Sequence, residues 1–385
     1  MFDYELIIKK KITSCNLIIC EIFKNLHLRD LVNCSLTDKK FNTISNNNML
    51  WKHLFERDFN ENIAIYKKNI DEQNKMAYIR YKNIVIIKDK FNMKQDTSSI
   101  INLQKIVARL DVGKMTIFPI EICLLYNLAK IYLDFQEIKK IPVEISHLTN
   151  LQKFSADYNH IKWIPRKIGI CTNLETISLQ GNQIKIIPNE IGKLVNLCKL
   201  NLLYNGIEKI PVEIRMLSNL RELYLSNNKI KEISRDICCL HNLQKLELSN
   251  NQIEQIPIGI GNLTNLISLK LSYNQIKQIP IEISNLGSIE SLHIAHNQIE
   301  SIPPEFGYLS NLRWLFLNYN KISKIPKEIG MLINLNFLDI KNNQIQDIPV
   351  EINSLTSLWL LNIVDNPIQS VPDNILVHIK DKIKL

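Results

Sequence analysis

Three histidines are the first candidates for chemistry in this sequence, because an imidazole nitrogen can bind a transition metal or move a proton near neutral pH. His293 and His296 lie three residues apart, and His241 lies well upstream of them. A zinc site draws Cys, His or carboxylate ligands at characteristic short spacings, and the pattern around these residues matches none of them. We therefore interpret all three as surface histidines and predict no metal site.

Catalytic motifs are absent from the sequence. It contains no GxSxG, HExxH, Walker or GxGxxG pattern, and Gly259-Ile260-Gly261 does not complete the last of these. The many carboxylates are explained by a recurring position near the start of short helical turns, where a negative charge is favourable. The sequence thus predicts a protein that is not an enzyme and needs no cofactor.

The element that positions these residues is a ladder of asparagines with a fixed period of 23. Apolar residues recur around each rung, so that the unit reads LxxLxLxxNxIxxIPxEIxxLxN, and a period of this size indicates a repeat architecture. The rungs are Asn159, Asn182, Asn205, Asn228, Asn251, Asn274, Asn297, Asn320, Asn343 and Asn366.

Each unit combines a short strand with a helical turn. Alternation of buried and outward positions, as in Ile177-Ser178-Leu179, predicts a strand that must stack on its neighbours to bury its apolar side. Pro188, with Glu190 two residues later, favours a short helical or 3₁₀ turn on the return side. An asparagine amide can both donate and accept, so the column can satisfy buried backbone groups where the chain leaves each strand.

This unit resembles the leucine-rich repeat over about residues 100–372, with twelve units if the degenerate ones at Gln136 and Gly113 are counted. The resemblance implies an α/β solenoid with a parallel sheet on its concave face. The outward strand positions lie six, four and two residues before each ladder Asn and are free of the repeat consensus. We therefore expect them to bind a partner.

Aromatic residues gather on or beside these outward positions in the C-terminal half. Aromatic rings and Arg are frequent at the energetic centres of interfaces, and an exposed cluster of them indicates a binding surface. The alternative is that some rings pack on one another or lean into the core. The predicted partner-binding residues are Tyr273, His293, Arg313, Trp314, Phe316, Tyr319, Phe337 and Trp359.

The net charge and the cysteine spacing limit which classes of partner and which cellular compartment we predict. The net charge of +9 is spread along the 385 residues, with Lys9-Lys10-Lys11 as the longest basic run. We therefore predict no nucleic-acid partner. No apolar run is long enough for a membrane span, no signal peptide is visible, and the 8 cysteines form no CxxC pair. The sequence predicts an intracellular, cytoplasmic protein with reduced thiols and no membrane partner.

The first 96 residues lack the repeat and predict three or four short amphipathic helices. Their order resembles the F-box, and the stretch LWKHLFERDF over 50–59 is the closest match, although Ser14-Cys15 stands where that family has Leu-Pro. The other matching residues are Ile22-Phe23, Leu26, Asp30-Leu31, Lys40-Phe41 and Ile44. A helical cap that shields the first repeat remains the alternative.

The two resemblances together imply a domain order and a function. We expect an all-α F-box-like domain at 12–59, connecting helices and a linker at 60–99, and the solenoid with its C-terminal cap at 100–385. The F-box resemblance implies a Skp-family adaptor as a possible partner, bound through Ile18, Ile22, Leu26 and Leu31. The protein would then present a protein substrate on its concave face to a cullin-RING ubiquitin ligase. The alternative is a scaffold or signalling regulator without a ligase link, similar to Ras-group leucine-rich proteins.

The bias towards Ile, Asn and Lys, combined with an F-box-like segment, also resembles proteins of giant viruses of amoebae or of amoebozoans. For a viral protein, the expected compartment is the host cytoplasm.

Overall fold

The computed structural model describes residues 106–109, 115–118, 120–124, 128–369 and 383–384. The chain divides into two units, Met1–Gln104 and Lys105–Leu385, and all described residues belong to the second. The predicted helical domain at 12–59 and the connecting segment at 60–99 lie outside the described residues, so their boundaries stay predictions.

The second unit is built on one parallel sheet of 13 strands, which follow one another across the sheet in chain order. This order confirms the predicted solenoid, in which each unit pairs only with the units before and after it. The strands are β1 Ile106–Arg109, β2 Leu128–Tyr132, β3 Lys153–Ser155, β4 Thr176–Ser178, β5 Lys199–Asn201, β6 Glu222–Tyr224, β7 Lys245–Glu247, β8 Ser268–Lys270, β9 Ser291–His293, β10 Trp314–Phe316, β11 Phe337–Asp339, β12 Leu360–Asn362 and β13 Ile383–Lys384.

Strand register keeps equivalent positions of successive units side by side. Leu315 of β10 lies opposite Leu292 of β9 and Leu338 of β11, each one period away. Each position of the unit therefore forms a straight column across the sheet, and residue types can be compared along a column as true neighbours.

The return side carries short 3₁₀ helices of five residues each, and no α-helix occurs among the described residues. They span Ile120–Leu124, Val143–His147, Arg166–Ile170, Asn189–Lys193, Val212–Met216, Arg235–Cys239, Ile258–Asn262, Ile281–Asn285, Pro304–Tyr308, Lys327–Met331 and Val350–Ser354. The sequence was compatible with either helical or 3₁₀ turns, and the structure contains 3₁₀ helices.

The recurring proline stands one residue before the first 3₁₀ residue, rather than at the first helical position that the sequence suggested. Pro188 has φ −69° and ψ 147°, and its carbonyl accepts the first bond of the turn, from Ile191 N at 3.0 Å. Where Ser234 replaces the proline, its hydroxyl oxygen accepts from Asp236 N at 3.2 Å. A side-chain cap thus substitutes for the fixed φ of proline.

The asparagine ladder is hydrogen-bonded throughout, as predicted, and seven of its ten rungs are buried, with Asn205, Asn274 and Asn366 partly exposed. Asn251 is 9% exposed. Its Nδ2 donates to Leu225 O and Leu248 O, both at 3.0 Å, and its Oδ1 accepts from Ile230 N at 2.9 Å. The same offsets recur from Asn159 to Asn366. Each rung therefore joins its own turn to the unit before it.

Leucine and isoleucine columns fill the space between the sheet and the 3₁₀ helices, most of them with no exposed surface. Packing on the return side is close at some units: a Cβ added at Gly261 would lie 2.4 Å from Glu282 O of the next unit, although Cys238 and Ser284 occupy the same column. In the part of the chain that the structure describes, no helix has the length and apolar character needed to cross a bilayer.

Candidate interaction surface on the strand side

The outward face of the sheet, here called the sheet face, gathers most of the predicted partner-binding residues. His293 ends β9, Trp314 and Phe316 form the ends of β10, and Phe337 begins β11. The remaining four lie at the strand ends, because Arg313 and Trp359 directly precede β10 and β12, whereas Tyr273 and Tyr319 follow β8 and β10 by three residues. All eight are thus drawn from adjoining strands at one end of the sheet.

One row of rings runs across four neighbouring units of the sheet, from β9 to β12. His293 stacks on Phe316 with ring centroids 4.3 Å apart, and Phe316 lies 4.9 Å from Phe337 in a tilted arrangement. Phe337 then meets the edge of Trp359 at 6.3 Å. Offset and edge-to-face geometries of this kind are favourable for aromatic pairs, so the row is a continuous ordered surface.

A second row lies in the column directly before the ladder asparagines. His296 is sandwiched between Tyr273 and Tyr319, with centroid distances of 4.1 and 4.2 Å. The Lys341 ammonium lies 5.9 Å from the Tyr319 ring. His296 was not among the predicted binding residues. The recurrence of Tyr or His one position before successive rungs is the sequence signal that identifies this row.

The backbone conformation explains why the side chains of the second row lie apart from those of the first row. Tyr273, His296 and Tyr319 have φ values of 58°, 52° and 56°, in the left-handed region that non-glycine residues rarely adopt. The same conformation recurs before the other rungs, where Tyr158 and Asn250 also have positive φ. This turn directs the chain into the buried asparagine and places the preceding side chain at the rim of the sheet face.

Exposure divides the predicted residues into two groups. Trp359, Tyr273, Tyr319 and Trp314 are 58%, 52%, 40% and 36% exposed, and Arg313 is also exposed. His293, Phe316 and Phe337 are partly shielded, since their rings stack on their neighbours. The stacking that the sequence left as an alternative occurs at the shielded rings, which form a platform. The exposed residues lie on the surface of this platform, and their binding to a partner stays a prediction.

The two histidines within the rows are poor proton carriers. Burial, followed by the charge of Lys270, lowers the pKa of His293 to about 4, and burial also lowers the pKa of His296. His293 Nε2 lies 2.8 Å from Ser291 Oγ. At neutral pH both rings are uncharged aromatic surfaces. Within the described residues, no group of three or more His, Cys, Asp or Glu side chains is arranged to hold a metal ion.

The sheet face changes character towards the N-terminus, where ion pairs replace rings. Glu222 lies between Lys199 at 3.0 Å and Lys245 at 3.1 Å, and Lys270 pairs with Glu247 at 2.6 Å. Each of these lysines lies opposite its carboxylate partner on the adjacent strand. Because the carboxylates of adjacent strands neutralise them, the aromatic C-terminal half is the more distinctive surface.

Family comparison agrees with both resemblances. The model described as leucine-rich repeat region matches residues 181–271, 211–302 and 304–378, which together make up just over half of the chain. Residues 17–57 match the model described as F-box-like. The predicted adaptor-binding residues Ile18, Ile22, Leu26 and Leu31 lie within this second interval but outside the described residues. Among curated proteins, none matches the chain significantly.

Two solved structures with a similar fold belong to chains that are longer than this one. A TDR receptor shares 27% identity with a TM-score of 0.63; the alignment covers 67% of this chain and 47% of the receptor. The PEPR1–AtPEP1 complex shares 29% identity with a TM-score of 0.61, covering 65% of this chain and 36% of that one. The present chain therefore spans less than half the length of these receptors.

A bacterial protein shows the same fold at greater coverage. An internalin from Listeria monocytogenes shares 23% identity with a TM-score of 0.57, and the alignment covers 76% of this chain and 91% of the internalin. With the parallel strand order, the buried asparagine ladder and the family match over more than half of its length, the chain belongs to the leucine-rich-repeat family.

Proposed function

We propose that this protein is the substrate-recognition subunit of a cullin-RING ubiquitin ligase of the SCF type. The observation that carries the proposal is the presence, in one chain, of an F-box-like match at 17–57 and a repeat solenoid at 181–378. Both families are protein-interaction modules, and an F-box implies binding to a Skp-family adaptor. The first module would dock on the ligase, and the second would hold the protein to be modified. Such a ligase acts inside the cell.

The substrate is proposed to bind the sheet face at its C-terminal end. Trp314, Trp359 and Tyr319 offer exposed rings on a platform of stacked neighbours, and rings held in this way lose little conformational freedom on binding. Related solenoids support a protein or peptide ligand. One similar structure, at 26% identity and a TM-score of 0.55, is the ectodomain of a plant receptor kinase of Arabidopsis thaliana in complex with CASPARIAN STRIP INTEGRITY FACTOR 2.

Co-purification of the full chain with a Skp-family adaptor and a cullin tests the ligase link. We expect the wild-type chain to recover both proteins. Ile22→Asp should abolish recovery, because it would place an unpaired charge in an apolar contact. The control is Lys277→Asp, which introduces the same side chain at an exposed site in the repeats. A folded wild-type chain that recovers no adaptor would refute the ligase function and favour the scaffold.

A separate capture experiment tests the substrate surface. Trp314→Ala combined with Trp359→Ala should remove a defined set of proteins from those that bind the wild-type chain, with unchanged circular dichroism. Tyr308→Ala with Met331→Ala is the matched control, since these side chains are 66% and 49% exposed on the return side. An identical captured set for the wild type and the tryptophan variant would show that the sheet face is not the binding surface.

A further inference from the structure

A second surface lies on the flank of the solenoid, between each ladder asparagine and the following proline. The flank is defined here by the residues three and four positions after each rung. Ile186 and Lys209, one period apart, form an isolated parallel bridge. Equivalent flank residues of neighbouring units therefore lie side by side and form two rows along the solenoid.

The rows change composition abruptly along the chain. In the unit of Gln136, which stands at the rung position, and in the next three units they contain five lysines, one glutamate, one tryptophan and one isoleucine: Lys139, Lys140, Lys162, Trp163, Lys185, Ile186, Glu208 and Lys209. The next six units have no aromatic or aliphatic residue there and a balance of charges: Lys231, Glu232, Glu254, Gln255, Lys277, Gln278, Glu300, Ser301, Ser323, Lys324, Gln346 and Asp347. A general bias towards lysine and isoleucine would affect all units equally, so the basic and apolar character belongs to this place. We call it the flank patch.

Two apolar side chains project from the middle of the flank patch. The outer row runs Lys140, Trp163, Ile186, Lys209, with Trp163 47% exposed and Ile186 73% exposed. A side chain that is this exposed fills no cleft of its own chain. The outer row therefore has a cation at each end and two projecting apolar groups between them.

The lysines of the flank patch outnumber its single carboxylate, Glu208, by five to one. On the sheet face, Lys199, Lys245 and Lys270 are neutralised by Glu222 and Glu247. Over the described part of the chain, none of the five flank lysines forms a salt bridge, and each of them is exposed. Their charge is therefore available to an external partner.

We propose that the flank patch docks the protein on an anionic lipid surface. Clusters of four to eight lysines are attracted to acidic headgroups, each contributing about a fivefold gain in partitioning. Tryptophan favours the headgroup boundary, and a projecting isoleucine can enter the acyl region. A lipid surface accepts projecting side chains without a shaped pocket. The cations are lysines, compact charges on flexible stems, which suit a diffuse anionic surface better than bidentate recognition of single carboxylates.

This proposal revises the expectation of no membrane partner. That expectation rested on the longest basic run and on the absence of a spanning segment. Neither feature reveals cations that are about 23 residues apart in the sequence. Only the stacking of units brings Lys140, Lys162, Lys185 and Lys209 together. The surface is separate from the sheet face, so lipid binding and substrate binding can fail independently.

Flotation of the full chain with vesicles tests the proposal. Vesicles of equal parts phosphatidylcholine and phosphatidylserine should bind the chain at low salt, whereas phosphatidylcholine alone should not. Lys140→Gln, Lys162→Gln and Lys185→Gln combined should weaken binding by about a hundredfold. The matched control is Lys231→Gln, Lys277→Gln and Lys324→Gln, the same charge change in the same rows of later units, which should bind like the wild type.

A second variant and a second probe exclude the alternatives. Trp163→Ser with Ile186→Ser, which keeps every charge, should also weaken vesicle binding. Polyglutamate is the probe for an acidic protein partner. Binding to polyglutamate without binding to the anionic vesicles would overturn the proposal in favour of an acidic protein. Equal losses for the two lysine triples would overturn it too, because the attraction would then belong to the whole charge of the chain.

Discussion

The asparagine ladder offers the sharpest test of the energetics, through Asn251→Ala in the middle of the array. Alanine removes one acceptor and one donor group from a buried site. Leu225 O and Leu248 O each keep a second donor, because Asn228 Nδ2 bonds to the first at 2.9 Å and Asn274 Nδ2 bonds to the second at 3.0 Å. Ile230 N donates to Asn251 Oδ1, and Ile230 has no exposed surface.

The expected cost therefore comes mainly from one stranded amide. Leaving a single buried donor without a partner costs about 1–3 kcal/mol, whereas stranding all three backbone groups would cost about three times as much. We expect Asn251→Ala to lower the free energy of unfolding by about 2–3 kcal/mol, after a small contribution from the weakened carbonyl contacts. Urea unfolding followed by circular dichroism measures this difference.

Two comparison variants make the result decisive. Lys277→Ala changes an exposed side chain and should leave stability unchanged within about 0.5 kcal/mol. Asn251→Asp keeps the acceptor for Ile230 N but turns an oxygen towards Leu225 O and Leu248 O, so it should destabilise at neutral pH and recover when the carboxyl is protonated. If Asn251→Ala matches Lys277→Ala, the column does not satisfy the buried backbone and our account of the ladder is wrong.

Two further predictions concern the aromatic platform and the return side. The folded pKa of His293 is about 4, below the 6.5 of a free imidazole, so the unfolded state binds more protons between these values. The stability that it contributes should be complete above pH 6.5 and fall by at most about 3 kcal/mol as the pH drops towards 4. His293→Gln should flatten this dependence of the unfolding free energy on pH, measured by urea titrations at several pH values. Gly261→Ala should lower the melting temperature, because the added Cβ would lie 2.4 Å from Glu282 O. Gly287→Ala is the control, since its Cβ would meet nothing within 4 Å and the melting temperature should not change. Equal melting temperatures for the two variants would show that the return side can relax.

The repeat spacing was sufficient to predict the solenoid. A period of 23 with alternating apolar residues permits few structures other than stacked parallel strands, and the observed register of Leu292, Leu315 and Leu338 follows it. The role of the ladder was also predictable, because an asparagine amide is the side chain that can bond to both an N–H and a carbonyl in one turn.

The surfaces were less predictable, since they depend on which positions meet across units. Trp314 and Phe316 occupy the same strand face, yet one is exposed and the other lies between His293 and Phe337. Side-chain alternation assigns a face and says nothing about stacking with the next unit. His296 was interpreted only as a surface histidine, although Tyr273 and Tyr319, which share its column and its positive φ, were predicted to bind. The adaptor contacts at 12–59 remain a prediction.

The ladder bonds have the same sequence offsets in successive units, so the number of units can change without changing the bonding pattern. Each rung bonds to atoms 26, 21 and 3 residues before it, and these offsets hold from one unit to the next. Removal of one whole period, for example residues 229–251, would place Leu225 O 26 residues before Asn274, which could then bond to it as Asn251 does now. The sheet would close up by ~4.8 Å and carry the aromatic rows that much closer to the start of the solenoid. Evolution can thus lengthen or shorten the solenoid by adding or deleting whole units, without redesigning the sheet face.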